Sequence, residues 1–527
     1  MPKNVVVFSD GTGQDGGARP EQRLSNVYKL YRACRVGPDS AVDPREQVTF
    51  YDPGLGTDIG ATAMTAPVRF VQKLLASMTG RGITANVADC YAFIINHYAP
   101  GDRIFLIGFS RGAYTVRCVA NLLTLCGVPT RMPDGAPLPL FRKATRDIAR
   151  EAVDTVLEHG AGHPRESYAA EREELARRFR ARHGSNHVDS DRRSNVAPYF
   201  IGTFDTVAAL GVAGAKRSAI KAAVSAVVAI PLAFASVLVA ATLAGLLHLV
   251  AGWPFWWTAL ALVLLEVGLL GWAAWRILQA WRASMTKTIR DFPNKGDVST
   301  HLAEWKGANF DRFLSAHVGY ARAAIAIDER RKDFARVPWG TVVDAPPRDP
   351  GLPEQLVQVW FAGNHSDIGG SYIEPESRLS DITLRWMIEE ATRLPEGLKV
   401  DGLGAPGDAM GNPRLRLFPR SDGVQHCEIA GMRDTIEERT SAAFIPAWLR
   451  RRARGKNWEE QDREVPHDAV VHPTVDERFA LPSVVQCAGS GPYRPGALAN
   501  HGRFKGRFKG RYGADEAGQA VGAEASG

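Results

Sequence analysis

Apolar positions in the first part of the chain fall into short unbroken runs separated by stretches of helical period. Val5-Val-Val-Phe8 and Ile104-Phe-Leu-Ile107 have no polar interruption, which is the pattern of strands buried on both faces. Asn4 to Ser9 reads as a first strand, Val48 to Tyr51 as a second, and the run after Arg103 as a third. Ile83 to Tyr98 has the spacing of an amphipathic helix leading into that third strand. Beyond it, Val116, Val119, Leu122, Leu123 and Cys126 recur at helical spacing. The order strand, helix, strand, helix, strand predicts an α/β fold, a mainly parallel sheet with helices on both faces.

Further along, residues 143–182 are polar, rich in Arg and Glu, and helical in pattern; they read as a solvated cap insertion. Gly184 to Asn195 reads as a loop and Pro198 to Val207 as the next strand. His301 to Trp339 reads as a helix because of its Ala-rich segment, Gln355 to Phe361 as a strand, Ala362 to Ser371 as a loop, and Leu379 to Leu394 as an amphipathic helix. Phe444 to Trp458 mixes aromatics with basic residues, which suits an anionic membrane surface or a plain solvated face. Residues 483–527 are basic, carry the repeat Arg503-Phe-Lys-Gly-Arg507-Phe-Lys-Gly-Arg511, and read as a disordered tail. The core then divides into 1–210 and 300–482.

Between those halves the pattern changes character. Ala222 to Val250 contains no Asp, Glu, Lys or Arg, and Phe255 to Trp275 contains only Glu266. Each run exceeds the roughly 20 residues that cross a hydrocarbon core. The Ala251-Gly-Trp-Pro254 break permits only a hairpin, so 216–290 reads as a two-helix transmembrane unit. Lys216, Arg217 and Lys221 flank one end; Arg276, Arg282, Lys287 and Arg290 flank the other. Both ends, and the α/β domain that flanks them, are therefore expected on the cytoplasmic side of a bacterial-type inner membrane, as a multi-pass protein. Trp253, Trp256 and Trp257 cluster at the turn, as an interfacial belt does. Folding the hairpin about residues 252–253 puts Glu266 level with about residue 239, beside Ser236 or Thr242.

At 527 residues, 45% hydrophobic and 23% charged, the chain has the composition of a globular protein too long for one core. The strand at Val5 comes directly after Met1-Pro-Lys3, with no signal-peptide pattern between. None of the six cysteines forms a C-x-x-C pair, which argues for a reducing compartment and against a disulfide framework or a zinc site. The net charge of +7 is modest and clustered. Such basic segments attract nucleic acid without specificity, so no specific nucleic-acid partner is expected.

The third strand runs straight into Gly108-Phe-Ser110-Arg-Gly112 and then into a helix. Strand, sharp turn, helix is the setting of a G-x-S-x-G nucleophile elbow, with Ser110 as nucleophile. The amide of Arg111 opens the helix, where it can donate to an oxyanion. Asp10-Gly11-Thr12-Gly13 comes after the first strand; its Gly11 or Thr12 amide is placed to supply a second donor, unless this is a plain turn. It lacks the G-x-x-x-x-G-K-S/T pattern of a nucleotide site, and the glycines at 54, 56 and 60 miss the dinucleotide spacing. Asp205 ends a strand, where it can orient a histidine or cap the next segment of chain. His365 sits on a Gly-rich loop after a late strand, which completes the chain order Ser110, Asp205, His365. Asp10, Asp367 and His472 are secondary candidates: Asp367 as the alternative partner of His365 or as a cap of the next helix, His472 as the rival of His365. No metal or cofactor is expected for this chemistry.

Six ordered motifs complete the picture: Phe8-Ser-Asp-Gly-Thr12, Gly108-Phe-Ser-Arg-Gly-Ala-Tyr114, Gly202-Thr-Phe-Asp-Thr-Val207, Ala326-Ile-Asp-Glu-Arg330, Trp360-Phe-Ala-Gly-Asn-His-Ser-Asp-Ile-Gly-Gly370 and His472-Pro-Thr-Val475. Over roughly 3–210 and 300–480 they resemble the α/β-hydrolase domain family that includes family 1 of the type VI secretion phospholipase effectors. The resemblance implies an α/β-hydrolase fold, Ser110 as nucleophile, His365 and Asp205 as its partners, and lipid esters, notably phospholipids, as substrates. It also implies a secretion-system or immunity-type protein as partner. The hairpin is a departure from that pattern. The expected function is thus a membrane-anchored serine esterase of phospholipase type. The alternatives are a degenerate, membrane-bound interaction module and a hydrolase of a soluble ester or peptide.

Overall fold

The computed structural model describes residues 2–14, 16, 23–54, 81–207, 214–304, 314–340, 348–401, 403–404, 415–428, 460–487 and 489–508. Six strands form one sheet: β1 (Asn4–Ser9), β2 (Gln47–Asp52), β3 (Arg103–Phe109), β4 (Phe200–Phe204), β5 (Tyr320–Ala326) and β6 (Leu356–Phe361). Their order is β6-β5-β4-β3-β1-β2, and every neighbouring pair is parallel. The direction of winding reverses between β1 and β3. Open α/β sheets place their functional groups at the carboxyl ends of strands beside such a reversal.

Alternate side chains of each strand enter two separate cores. Val6, Phe8, Phe105, Ile107, Phe200 and Phe204 point to one face, against α1 (Asn26–Cys34) and α9 (Arg378–Thr392). Val5, Val7, Ile104, Leu106 and Ile201 point to the other, against α2 (Arg81–His97) and α3 (Arg111–Cys126). Each fully buried phenylalanine contributes about 2–3 kcal/mol of transfer free energy, which is why the runs tolerate no polar break. The segment expected as a solvated cap insertion forms α4 (Lys143–Ala152), a π-turn at Val153–Leu157 and α5 (Ala169–His183), and is less solvated than expected: Ile148, Val153, Val156, Leu157 and Phe179 join the core of α2 and α3. Gly184–Asn195, expected as a loop, carries a short antiparallel hairpin.

The expected helix from His301 to Trp339 does not form. Thr286–Arg290 and Val298–Leu302 make an antiparallel ribbon, and Tyr320–Ala326 is the fully buried strand β5. An Ala-rich run looks helical by propensity, but a strand covered on both faces needs small, uniformly apolar positions. Its one charge, Arg322, is fully buried and pairs with Glu390 of α9.

The end of the chain also differs from expectation. Residues 484–487 and 489–508 are folded: a hairpin pairs Val484–Gln486 with Gly489–Gly491, and Tyr493, Leu498 and Phe504 lie in the core. The first copy of the basic repeat is held by Phe504 against Phe479, 4.6 Å between ring centres, and by Arg503 on Asp476 at 2.9 Å; Arg507, which opens the second copy, reaches the same side chain at 2.6 Å. Phenylalanine at every fourth position, rather than net charge, governs this segment. Cys427 and Cys487 are joined as a disulfide, against the expectation of free thiols throughout. Phe444–Trp458 and residues 509–527 lie outside the described residues.

α6 (Gly214–Ala251) and α7 (Phe255–Met285) are two long apolar helices joined by a short break. Both are long and apolar enough to cross a membrane. Leu249, Val250 and Trp256 are each more than 80% exposed. Ala240 and Ala244, one turn apart, are fully buried, the small-residue stripe that lets two helix backbones approach. Ser236 donates to Glu266 across the pair, at the depth expected from the sequence.

Candidate active site

The site begins with a backbone constraint. Ser110 comes directly after β3 with φ 58° and ψ −122°, a conformation rare for a residue with a side chain. Gly108 and Gly112 make it possible. A Cβ on Gly108 would lie 2.5 Å from the Gly112 carbonyl, and one on Gly112 would lie 2.1 Å from the Ser9 carbonyl at the end of β1. The turn is therefore pressed against the neighbouring strand, and Ser110 stands above the sheet at the head of α3.

His365 reaches Ser110 from β6. Its Nε2 lies 2.8 Å from Ser110 Oγ, and its Nδ1 lies 2.6 Å from Asp205 Oδ2. The expected loop contains a one-turn helix, α8 (His365–Gly369), capped by Asn364 and Asp367. Gly369 lets this turn meet the elbow: a Cβ there would lie 1.9 Å from the Phe109 ring. Asp205, just past β4, is also held at positive φ (39°), and its Oδ1 accepts from the Ala326 amide at 3.1 Å. Serine hydroxyl, imidazole and carboxylate thus form one buried hydrogen-bonded chain. Such a chain can transfer the serine proton and stabilise an imidazolium, as acyl transfer requires.

The secondary candidates separate cleanly. Asp367 does not face His365. Its carboxylate holds the Asn364 amide and the His426 imidazole, the latter at 2.7 Å. His472 caps α10 (Pro473–Ala480) through Thr474 and stacks on Phe361, away from Ser110. Asp10 is buried and accepts from Ser25, from Tyr51 at 2.7 Å and from the Gly11 amide at 2.7 Å. Burial pushes its pKa up to about 6, against the pull of those donors. Because Asp10 occupies the Gly11 amide, Thr12 becomes the candidate donor of that turn. Thr12 Oγ1 is itself buried without a hydrogen-bond partner.

One residue of the site has no sequence signal. Arg463 places two nitrogens on Asp205, one on each carboxylate oxygen (2.5 and 2.9 Å), and a further contact on the Phe334 carbonyl. Burial alone would raise the Asp205 pKa; Arg463 and the bond from His365 outweigh it and hold the carboxyl well below its ordinary range. The pairing spans 258 positions, so neither local pattern nor spacing marks it. Glu329 and Asp328 are marked in the sequence only as members of a motif. Glu329 accepts from the His365 amide at 3.2 Å and is gripped by Arg331. Asp328 accepts from the Gly363 amide and from Tyr493, 2.7 Å each, and so clamps the turn before His365. Burial raises its pKa to about 6.

Comparison with known proteins gives a family. The sequence model described as "T6SS, Phospholipase effector Tle1-like, catalytic domain" matches residues 3–239 and 271–390, well over half of the chain. The match omits 240–270, the outer part of the apolar hairpin. An uncharacterised protein of Saccharomyces cerevisiae is 32% identical over 131 residues, 24% of this chain and 18% of that protein. A crystal structure of an uncharacterised protein from Pseudomonas aeruginosa aligns at 15% identity and TM-score 0.30, over 76% of this chain and 46% of the other. A Tle1 effector bound to the VgrG spike of the type VI secretion system aligns at 14% identity and TM-score 0.27, over 72% and 53%. The chain thus spans under a fifth of the yeast relative and about half of each solved chain, and structural likeness at this level carries no functional argument.

Proposed function

The chain belongs to the family of type VI secretion Tle1-like phospholipase effector catalytic domains, and from that premise we propose that it is a membrane-anchored serine esterase that cleaves phospholipid carboxylic esters. The observation that carries the reading is the continuous contact from Asp205 through His365 to Ser110, with Ser110 on a strained elbow. Ser110 Oγ attacks the ester carbonyl while His365 Nε2 takes its proton. The tetrahedral oxyanion is met by the amides of Arg111 and Thr12. His365 returns the proton to the leaving alcohol, and an acyl-serine remains. Water, deprotonated by the same nitrogen, then releases the fatty acid. Asp205 fixes the imidazole tautomer and stabilises its charged form; Arg463 and the Ala326 amide fix Asp205.

The apolar hairpin anchors this chemistry to its substrate. With basic residues flanking both outer ends, the hydrolase domain sits on the cytoplasmic face of a bacterial-type inner membrane. Tethering raises the local concentration of lipid at the site without any new contact. The test is fatty-acid release from phospholipid vesicles by the full chain reconstituted into them, compared with Ser110→Ala. Release by wild type alone supports the reading; equal release, or none from either protein, overturns it.

A further inference from the structure

His159, Glu171 and His301 come from distant parts of the chain and converge at the base of the hairpin. His159 lies just past the π-turn of the cap insertion, Glu171 lies in the first turn of α5, and His301 belongs to the ribbon that leaves α7. One donor atom from each lies within 4.8 Å of the others. His159 is almost fully buried, at 1% exposure. Two imidazoles and one carboxylate are a ligand set suited to zinc and related divalent ions.

The ion-free arrangement leaves a polar group unsatisfied. The Gly160 amide donates to His301 Nε2 at 2.9 Å, which puts the ring proton on Nδ1. That atom is buried and has no hydrogen-bond partner among the described residues. A buried ring nitrogen left without a partner is uncommon and calls for a water in this tautomer, or for an ion in the other. The rest of the cluster is organised as metal sites are. Ser299 donates to Glu171 Oε1 at 2.9 Å and leaves Oε2 toward His159, at 2.6 Å. Lys287, the nearby ammonium, is neutralised by Glu158 at 2.6 Å.

We propose that His159, Glu171 and His301 bind one divalent transition-metal ion, zinc by ligand chemistry, which pins the cap insertion to the ribbon beneath the apolar hairpin. Binding takes the His159 Nε2 lone pair, its ring proton moving to Nδ1, the Oε2 of Glu171 that Nε2 now faces, and the His301 Nδ1 lone pair, its ring proton moving to Nε2. The Gly160 amide turns away, a movement the glycine turn at 160–162 permits (φ 74° and 81°). The edge of a zinc tetrahedron is roughly 3.4 Å, so side-chain torsions close the cluster from its present span. A water takes the fourth position. The three positions fit no ligand-spacing motif, and the absence of cysteine pairs is no guide to a site built from histidine and glutamate.

The test uses the untagged full chain in detergent, stripped with chelator and titrated with zinc against a chromophoric competitor, then with cobalt for its visible spectrum. One zinc per chain, a tetrahedral cobalt spectrum and a higher Tm with metal are expected. Glu171→Gln and His301→Ala abolish stoichiometric binding, and Ser299→Ala weakens it at least about 10-fold through the lost support of Glu171. No stoichiometric zinc on wild type overturns the proposal whatever the variants do. So does zinc bound equally by wild type and a folded His301→Ala.

Discussion

Replacing Arg463 with glutamine removes both guanidinium contacts from Asp205 while leaving that carboxylate its bonds from His365 and the Ala326 amide. Asp205 is fully buried and the Arg463 side chain is 8% exposed. Deleting one partner of a buried, hydrogen-bonded ion pair costs about 3–5 kcal/mol. The remaining donors put this case at the low end, about 3 kcal/mol. The pH dependence carries the sign. The folded Asp205 pKa is depressed below its unfolded value, so its stabilisation is present above roughly pH 4 and is lost as pH falls through the folded value. The stability gap between wild type and Arg463→Gln is therefore full at pH 7 and narrows below about pH 4. In the variant, burial is no longer outweighed, so Asp205 protonates at higher pH and the acid side of the kcat/KM profile moves up with it. At neutral pH kcat falls about 10- to 100-fold, or about 1.4–2.7 kcal/mol of transition-state stabilisation. Complete loss of a triad carboxylate costs about 10⁴, which sets the upper bound. Arg463→Lys restores the charge without the fork and recovers only part of the rate. The assay is hydrolysis of a soluble short-chain ester in detergent across pH, beside thermal unfolding of the same samples. An Arg463→Gln protein with the wild-type pH profile and wild-type Tm would refute the reasoning.

Other perturbations separate the parts of the account. Gly112→Ala drives a methyl into the Ser9 carbonyl and should abolish ester hydrolysis with a marked loss of Tm; an active Gly112→Ala enzyme contradicts the elbow. Asp328 has a folded pKa raised to about 6, so it contributes stability only at low pH and costs stability as pH rises past that value. Asp328→Asn should therefore raise Tm at pH 8 and leave it unchanged or lower at pH 4, read by thermal scans at both. Glu266→Leu should leave insertion of the hairpin intact or improved in glycosylation mapping, because a charge costs about 3 kcal/mol at the bilayer centre. Deleting the hairpin should preserve cleavage of soluble esters and remove activity on bilayers; equal loss on both substrates rules out anchoring.

The strands β1 to β4 and the elbow are legible in the sequence because burial on both faces leaves an unbroken apolar run, and because a serine between close-packed glycines has few other uses. Asp205 and His365 are legible from their positions after strands, and Ser236 or Thr242 as the neighbour of Glu266 from helix geometry alone. β5 is not, because alanine in a doubly covered strand mimics helix propensity. Nor is the folded end, where Phe504 and Tyr493 settle in a core built by residues far away in sequence. Arg463 escapes for the same reason. Its role is defined by a partner 258 positions distant, and a lone arginine near acidic neighbours reads as solvated surface. Gly11 stands beside the nucleophile as expected, yet its amide is taken by Asp10, a competition between adjacent groups that spacing does not reveal.

The central claim is that Ser110 is an activated nucleophile. The most direct measurement is labelling of the detergent-solubilised full chain with a fluorophosphonate probe, then mass spectrometry of the modified peptide. The account predicts one adduct on Ser110, absent in Ser110→Ala and strongly slowed in His365→Ala. A folded wild-type protein that takes no label, or one labelled elsewhere and equally in Ser110→Ala, would contradict it.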